Sequence, residues 1–240
     1  MGDGKATIMK FPTPLLKGTL VQRYKRFMAD IVLDTGEEIT AHCANSGSMM
    51  GVKDEGAEVW VSLADNPKRK LKYTWELIRV GESLVGINTS LPNKIAQESI
   101  ENGVVEELQG YDTLRREVKY GENSRIDIFL QDLAKPACYV EVKNVTLRRD
   151  RLAEFPDAVT ARGTKHLGEL ANQVAAGDRA VMYYITQRDD CDTFTVARDI
   201  DPAYAAALEK AMAAGVEVIC YGCKLTPEEI QVISPLSLEI

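Results

Sequence analysis

The chain has no run of about 18 apolar residues, so no membrane-spanning helix is expected. It lacks a basic N-terminal segment leading into an apolar stretch, which argues against a secretory leader. Ala6 stands where a myristoylation signal after Met1-Gly2 needs Ser or Thr. Cysteine is sparse and odd in number: Cys43, Cys138, Cys191, Cys220 and Cys223. Such a scattered set points to reduced thiols in a cytoplasm rather than a disulfide framework. Cys220-Tyr221-Gly222-Cys223 is a lone C-x-x-C with no second pair of zinc ligands, and it reads as strand-end thiols. Neither G-x-G-x-x-G nor a P-loop sequence occurs, which disfavours a nucleotide-dependent small-molecule enzyme.

What is present is enough for a sizeable core: 240 residues, 45% of them hydrophobic. The net charge of −7 is awkward for a nucleic-acid binder. It is unevenly spread, however. Residues 1–80 are slightly basic, with Arg23-Lys25-Arg26 and Lys68-Arg69-Lys70-Lys72 as clusters, and the acidic excess lies in the remainder. A nucleic-acid footprint is therefore expected in the first part of the chain.

Residues 11–80 alternate short strand-like runs with turns: 19–24, 28–33, 38–42, 58–63 and 75–80. Five short strands without a long helix suit a small barrel, OB-like or SH3-like. The pattern changes near residue 84, giving expected domains at 1–83 and 84–240. The second begins with a helix from Pro92 to Asn102, ended near Gly103, with Ile95, Ala96, Ser99 and Ile100 facing inward. Strands follow at 114–120, 125–131 and 137–143, then a helix over 160–176 and a strand over 180–185. Asp201-Pro202 opens a third helix, with Asp as N-cap and Pro at the first position, and Gly215 ends it before a strand at 216–220. This order predicts a mixed α/β sheet flanked by helices.

The chemistry concentrates in two of these strands. Ser124-Arg125-Ile126-Asp127 pairs naturally with Tyr139-Val140-Glu141-Val142-Lys143. Alternation puts Glu141 and Lys143 on one face and Val140 and Val142 on the other, and predicts that Ile126 and Ile128 share the face opposite Asp127. Asp127, Glu141 and Lys143 then converge. Two carboxylates beside an ammonium suit a hard divalent cation and an anionic phosphate.

An Asp on one strand followed by E-x-K on the next resembles the restriction-endonuclease-like PD-(D/E)-x-K superfamily. More narrowly, several blocks resemble the sugar fermentation stimulation protein A family. They are Arg23-Tyr24-Lys25-Arg26-Phe27, His42-Cys43-Ala44-Asn45-Ser46-Gly47-Ser48-Met49, Asn66-Pro67-Lys68-Arg69-Lys70, Glu117-Val118-Lys119-Tyr120-Gly121, Glu141-Val142-Lys143-Asn144-Val145-Thr146-Leu147 and Phe155-Pro156-Asp157-Ala158-Val159-Thr160. Ala44 stands where the family has Pro, and Asn144 where it has Ser. The resemblance implies an OB-like barrel followed by a restriction-endonuclease-like domain, with Mg²⁺ or Mn²⁺ held by Asp127 and Glu141 and with Lys143 serving the transition state. It also implies a further Glu ligand, from Glu98 on the first helix or Glu117 on the preceding strand.

Arg162 and His166 share a helix side with Glu169 and Gln173, either as phosphate contacts or as a solvated face. In the barrel, Arg23, Lys25, Arg26, Lys68, Arg69 and Lys70 would meet phosphates. Tyr24 and Phe27 would stack on bases or fill the barrel core, with at least one buried. The expected partner is DNA, bound largely without sequence preference, in a cytoplasmic protein free of membranes; a homo-oligomer stays open. Two functions compete: a metal-dependent nuclease, and a non-specific DNA-binding regulator of sugar-utilisation genes with an idle site.

Overall fold

The computed structural model describes residues 8–66, 68–121 and 124–240. Met1-Gly2, Ala6 and Pro67 lie outside the described residues. The chain runs β1 (Met9–Lys10), β2 (Leu16–Tyr24), β3 (Met28–Leu33), β4 (Glu38–Cys43), β5 (Glu58–Leu63), β6 (Tyr73–Val80), β7 (Ser83–Gly86), α1 (Pro92–Glu101), β8 (Thr113–Tyr120), β9 (Ser124–Gln131) and β10 (Cys138–Val145). It continues through β11 (Leu147–Arg149), β12 (Leu152–Phe155), α2 (Ala161–Ala175), β13 (Arg179–Thr186), β14 (Thr193–Val196), α3 (Pro202–Ala213), β15 (Glu217–Leu225), β16 (Glu229–Pro235) and β17 (Ser237–Glu239).

Strict alternation in β3 and β4 buries Ala29, Ile31, Leu33, Ile39, Ala41 and Cys43 on one face. Burying one face requires closure. The order β4-β3-β2-β5-β6 is completed by parallel pairing of β4 with β6, giving a five-stranded barrel around Trp75. Gly18 permits the tight curvature, since a Cβ there would lie 2.6 Å from the Val32 carbonyl oxygen. The strand spacing anticipated a small barrel, and the family resemblance an OB-like one, as found here. A boundary at 83/84 would cut β7, which pairs with β6 from Val80↔Ser83 to Leu77↔Gly86. The barrel's sheet continues through Gly86, whose N–H donates to the Gln187 carbonyl at 3.0 Å.

The rest is a mixed α/β unit. Its main sheet has the order β1-β16-β15-β13-β10-β9-β8, with β10, β13 and β15 parallel. The central strand β13 is buried along almost its whole length, as a parallel strand covered on both faces must be. One face packs on α1 and also takes in Trp60, Leu77 and Leu84 from the barrel. The other face packs on α2 and α3. Cys220 and Cys223 fall in these two different clusters, so the C-x-x-C thiols face opposite ways. All five cysteines are free, and burial pushes the Cys220 thiol up to about 12.

A small second sheet, β11-β12-β14-β17, has no counterpart in the sequence pattern. Tyr24 and Phe27 both lie outside the barrel core: Tyr24 is half-buried with its hydroxyl on Asp30, and Phe27 is 50% exposed. The hairpin carrying them turns through Lys25 and Arg26 at φ 48° and 63°, which lifts the Phe27 ring outward. No helix among the described residues is long and apolar enough to cross a membrane.

Candidate active site

The site forms where sheet pairing fails. β9 and β10 pair from Leu130↔Cys138 to Ile128↔Val140 and then part. The next donor, the Val142 N–H, is taken by the Asp127 carboxylate (Oδ2, 2.8 Å) instead of by a backbone carbonyl. On the other side, the β8–β9 ladder skips Glu117 and Asp127, and Glu117 sits at φ 54°. The break reverses the alternation. Ile128 packs in the α1 cluster but Ile126 packs in the α2–α3 cluster, so the two do not share a face as strict periodicity predicts.

Glu141 is 2% exposed, on the α2 side of the sheet. Its Oε1 accepts from Lys143 Nζ at 2.6 Å and from His166 Nδ1. His166 Nε2 in turn lies 3.4 Å from Arg162 Nε, which donates to it. Helical periodicity puts His166 and Glu169 on a polar side together with Arg162. The structure instead buries both against the sheet, and of these three only Arg162 is exposed. Burial opposes ionisation of Glu141, but the His166 and Lys143 contacts outweigh it and hold the carboxyl below its ordinary value. Asp127 moves the other way: burial, then the charge of Glu141, raise it to about 6 against the opposing Val142, Lys143 and Asn93 contacts. The two neighbouring carboxyls are thus driven apart, Glu141 held ionised by Lys143 and His166 while Asp127 is pushed toward its neutral form.

Glu98 does not join them. It lines a small cavity with Met9, Ile230 and Val232, on the far side of α1. The α1 residue at the site is Asn93, whose Nδ2 donates to Asp127 Oδ1 at 2.7 Å and lies 3.4 Å from Glu117 Oε1. Five residues of helix turn about 500°, so Asn93 and Glu98 cannot face the same way. Glu117 is thus brought to the rim of the site through Asn93.

The donor set suits a divalent cation that shares its coordination with substrate. Glu141 Oε2 is buried without a hydrogen-bond partner, an acceptor left free beside Asp127. Among the described residues no three His, Cys, Asp or Glu side chains are grouped to hold a metal. Two carboxylates, with the remaining positions open to a backbone carbonyl and water, could hold a hard divalent cation without an all-protein cage.

Asn93, Val142 and Lys143, the neighbours of the carboxylates, open onto a cleft of about 460 Å³. Val142, Lys143, Asn144, Thr160 and Arg162 form one wall; Asn45, Ser46, Gly47 and Thr89 form the other. Asp157 joins the walls, its Oδ2 accepting the Met49 N–H at 2.9 Å. Arg23 secures the loop: its guanidinium donates to the carbonyls of Arg26 (3.1 Å), Asn45 (2.9 Å) and Gly47 (3.1 Å). Arg23 is therefore a tie between two loops rather than a free phosphate contact. Lys25, Arg26, Lys68 and Lys70 are exposed, and Arg69 is half-buried with Nη1 on Thr74. Because β4 pairs Met28↔His42 and His42↔Thr74, both basic clusters sit at one end of the barrel. Sequence reasoning does not find Asn93 or Asp157. Asn93 does carry a signal, a polar side chain directly after the helix-opening Pro92.

Two family models together match most of the chain: SfsA N-terminal OB domain over residues 21–87 and sugar fermentation stimulation protein RE domain over residues 90–229. The chain belongs to the sugar fermentation stimulation protein family. The sugar fermentation stimulation protein homolog of Paramagnetospirillum magneticum is 56% identical over 232 residues, covering 97% of this chain and 98% of that one. The homolog of Rhodospirillum centenum is 58% identical, covering 96% and 99%. Among solved structures, Pyrococcus furiosus SfsA in complex with Ca²⁺ superposes with a TM-score of 0.87 at 26% identity, over 98% of this chain and 100% of that one. The family's two-part architecture, an OB barrel followed by a mixed α/β domain, is the one described above.

Proposed function

We propose that this protein binds DNA and hydrolyses its phosphodiester bonds with Mg²⁺ or Mn²⁺ at Asp127 and Glu141. The observation that carries the reading is the free, buried Oε2 of Glu141 beside an Asp127 whose ionisation Glu141 itself opposes. The Ca²⁺ complex of the Pyrococcus furiosus relative supports a hard-cation site. Bound there, the metal supplies an activated water and neutralises phosphate charge.

The chain's own residues do the rest. Asn93 and the Val142 N–H fix the Asp127 carboxylate, each gripping one oxygen. His166 fixes Glu141 from beneath. Lys143, on the cleft wall, is positioned to stabilise charge that develops on the phosphoryl oxygens, and Arg162 to hold a neighbouring phosphate. Glu117, at the rim, would offer a further carboxylate toward the cation. Lys25, Arg26, Lys68, Lys70 and the half-buried Arg69 give the barrel end a sequence-independent hold on phosphates. The free thiols fit a cytoplasmic location.

The test is cleavage of single-stranded, duplex and branched DNA with Mg²⁺, with Mn²⁺ and with EDTA. Metal-dependent products on at least one form are expected. Their absence from all forms would leave the second reading, a DNA-binding regulator with an idle site, which the exposed cations gathered at one end of the barrel support.

A further inference from the structure

The cleft is small: at about 460 Å³ it falls toward the low end of the 300–1,000 Å³ range of pockets that take one small molecule, a volume on the scale of a nucleotide unit. Its walls are tied to each other by Asp157, which accepts the Met49 N–H, and the barrel-side wall is braced within itself, Asn45 Nδ2 donating to the Ile87 carbonyl at 3.2 Å and Thr89 Oγ1 to the Ala44 carbonyl.

A second observation lies on the β2–β3 hairpin, which Arg23 ties to that wall. Phe27 is half exposed on a hairpin that also presents Lys25 and Arg26, and its ring takes no part in the barrel core. An aromatic face beside cations is a stacking platform for bases, and bases offer that face only when they are not stacked in a duplex. Arg23 joins the two features, since one guanidinium holds both the Arg26 carbonyl of the hairpin and the Asn45 and Gly47 carbonyls of the cleft wall.

We infer that the protein selects unpaired DNA, which runs from the Phe27 platform over the Arg23-braced loop and enters the cleft before Lys143. This inference rests on the phosphodiesterase reading for what happens in the cleft, but not for what binds there. A blunt duplex can meet the basic barrel end through its phosphates, yet neither stacks on Phe27 nor fits the cleft. The site thus prefers a single strand, or the unpaired arm of a branched or overhanging duplex.

The experiment is fluorescence anisotropy in EDTA, so that binding is read without cleavage. The probes are an oligonucleotide of about 20 nucleotides, longer than the 4–16 that one OB fold covers, the blunt duplex of the same length, and that duplex with an unpaired tail. The single strand and the tailed duplex should bind at least about ten-fold tighter than the blunt duplex. Phe27→Ala should weaken single-strand binding by roughly ten-fold, the effect of losing one stacked base, while leaving blunt-duplex binding within about two-fold. Ser46→Trp, which fills the cleft from an exposed position, should do the same. Equal or tighter binding of the blunt duplex by the wild-type protein overturns the inference whatever the variants do. So does single-strand binding that Phe27→Ala leaves unchanged, a test that stands even where Ser46→Trp does not fold. A preference for unpaired DNA without cleavage under any metal would retain this inference and remove the nuclease reading; efficient cleavage of blunt duplex would do the reverse.

Discussion

Asp127 ties the local geometry to a measurable pH response. Its carboxyl ionises near pH 6 in the folded chain against an ordinary value of 3.8, so the folded chain holds a proton that the unfolded chain has already lost between those values. Stability from that proton is complete below about pH 4 and is lost as pH rises through about 6. Asp127→Asn, which never ionises, should therefore stabilise the metal-free protein at pH 8 by on the order of 1–3 kcal/mol, with the difference gone below about pH 4. Urea unfolding in EDTA at the two pH values reads this, and a variant less stable at pH 8 would contradict it. For single residues, the sequence is informative where chemistry is carried by residue type. Asp127, Glu141 and Lys143 are legible from D…E-x-K spacing, and the structure brings them together. Glu98 is misleading because helix phase relative to the sheet is a tertiary property. Ile126 is misleading because a side chain, Asp127, takes over a ladder bond that periodicity assumes is backbone.

Among the elements, α2 matters most to the site, for it carries Arg162 into the cleft and His166 onto Glu141. Its start is fixed twice. Thr160 accepts the Gly163 N–H at its own cap, and the Thr160 N–H is held at 2.8 Å by Asp201, which also caps α3 through the Tyr204 N–H. One buried carboxylate thus sets two helix starts. Asp201→Ala should cost about 2 kcal/mol or more, above the usual ~1 for a single cap, because a second buried donor loses its partner. Chemical denaturation checks the size. A loss below about 0.5 kcal/mol would mean that the shared cap is not what orders α2. The three helices and the long strands are readable from period, capping and breakers. The four-stranded small sheet is not: β11, β12, β14 and β17 are three or four residues each, and they gain strand character only from partners far along the chain.

Over the whole molecule, the chain is acidic while the proposed partner is anionic, and the fold gathers exposed cations at one end of the barrel. Binding to single-stranded DNA should weaken steeply with salt, and neutralising Lys25, Arg26, Lys68 and Lys70 together should flatten the slope by about 0.7 for each phosphate no longer engaged. Arg23→Ala should leave that slope nearly intact but lower stability by about 2 kcal/mol, since its guanidinium serves three backbone carbonyls. A slope that falls with Arg23→Ala as much as with Lys70→Ala would return Arg23 to the phosphate-binding set. The barrel followed by a mixed α/β sheet is legible in the sequence because the strand and helix signals change character near residue 84. The cleft between the two is not, since Asn45, Thr89, Asp157 and Arg162 come from distant parts of the chain.

The proposed chemistry turns on Asp127 and Glu141 together holding one divalent cation, with Lys143 serving the reaction rather than the cation. Calorimetric titration of Mn²⁺ into the metal-free protein and its variants at pH 8 decides this. One site per chain is expected in the wild-type protein and none in Asp127→Ala or Glu141→Ala, because one carboxylate rarely holds such an ion without its partner or substrate phosphates. Lys143→Ala should keep the site, at equal or higher affinity, since the ammonium now resting on Glu141 Oε1 competes with the cation. Mn²⁺ binding that survives unchanged in either carboxylate variant, or that disappears with Lys143→Ala, would contradict the shared-cation site.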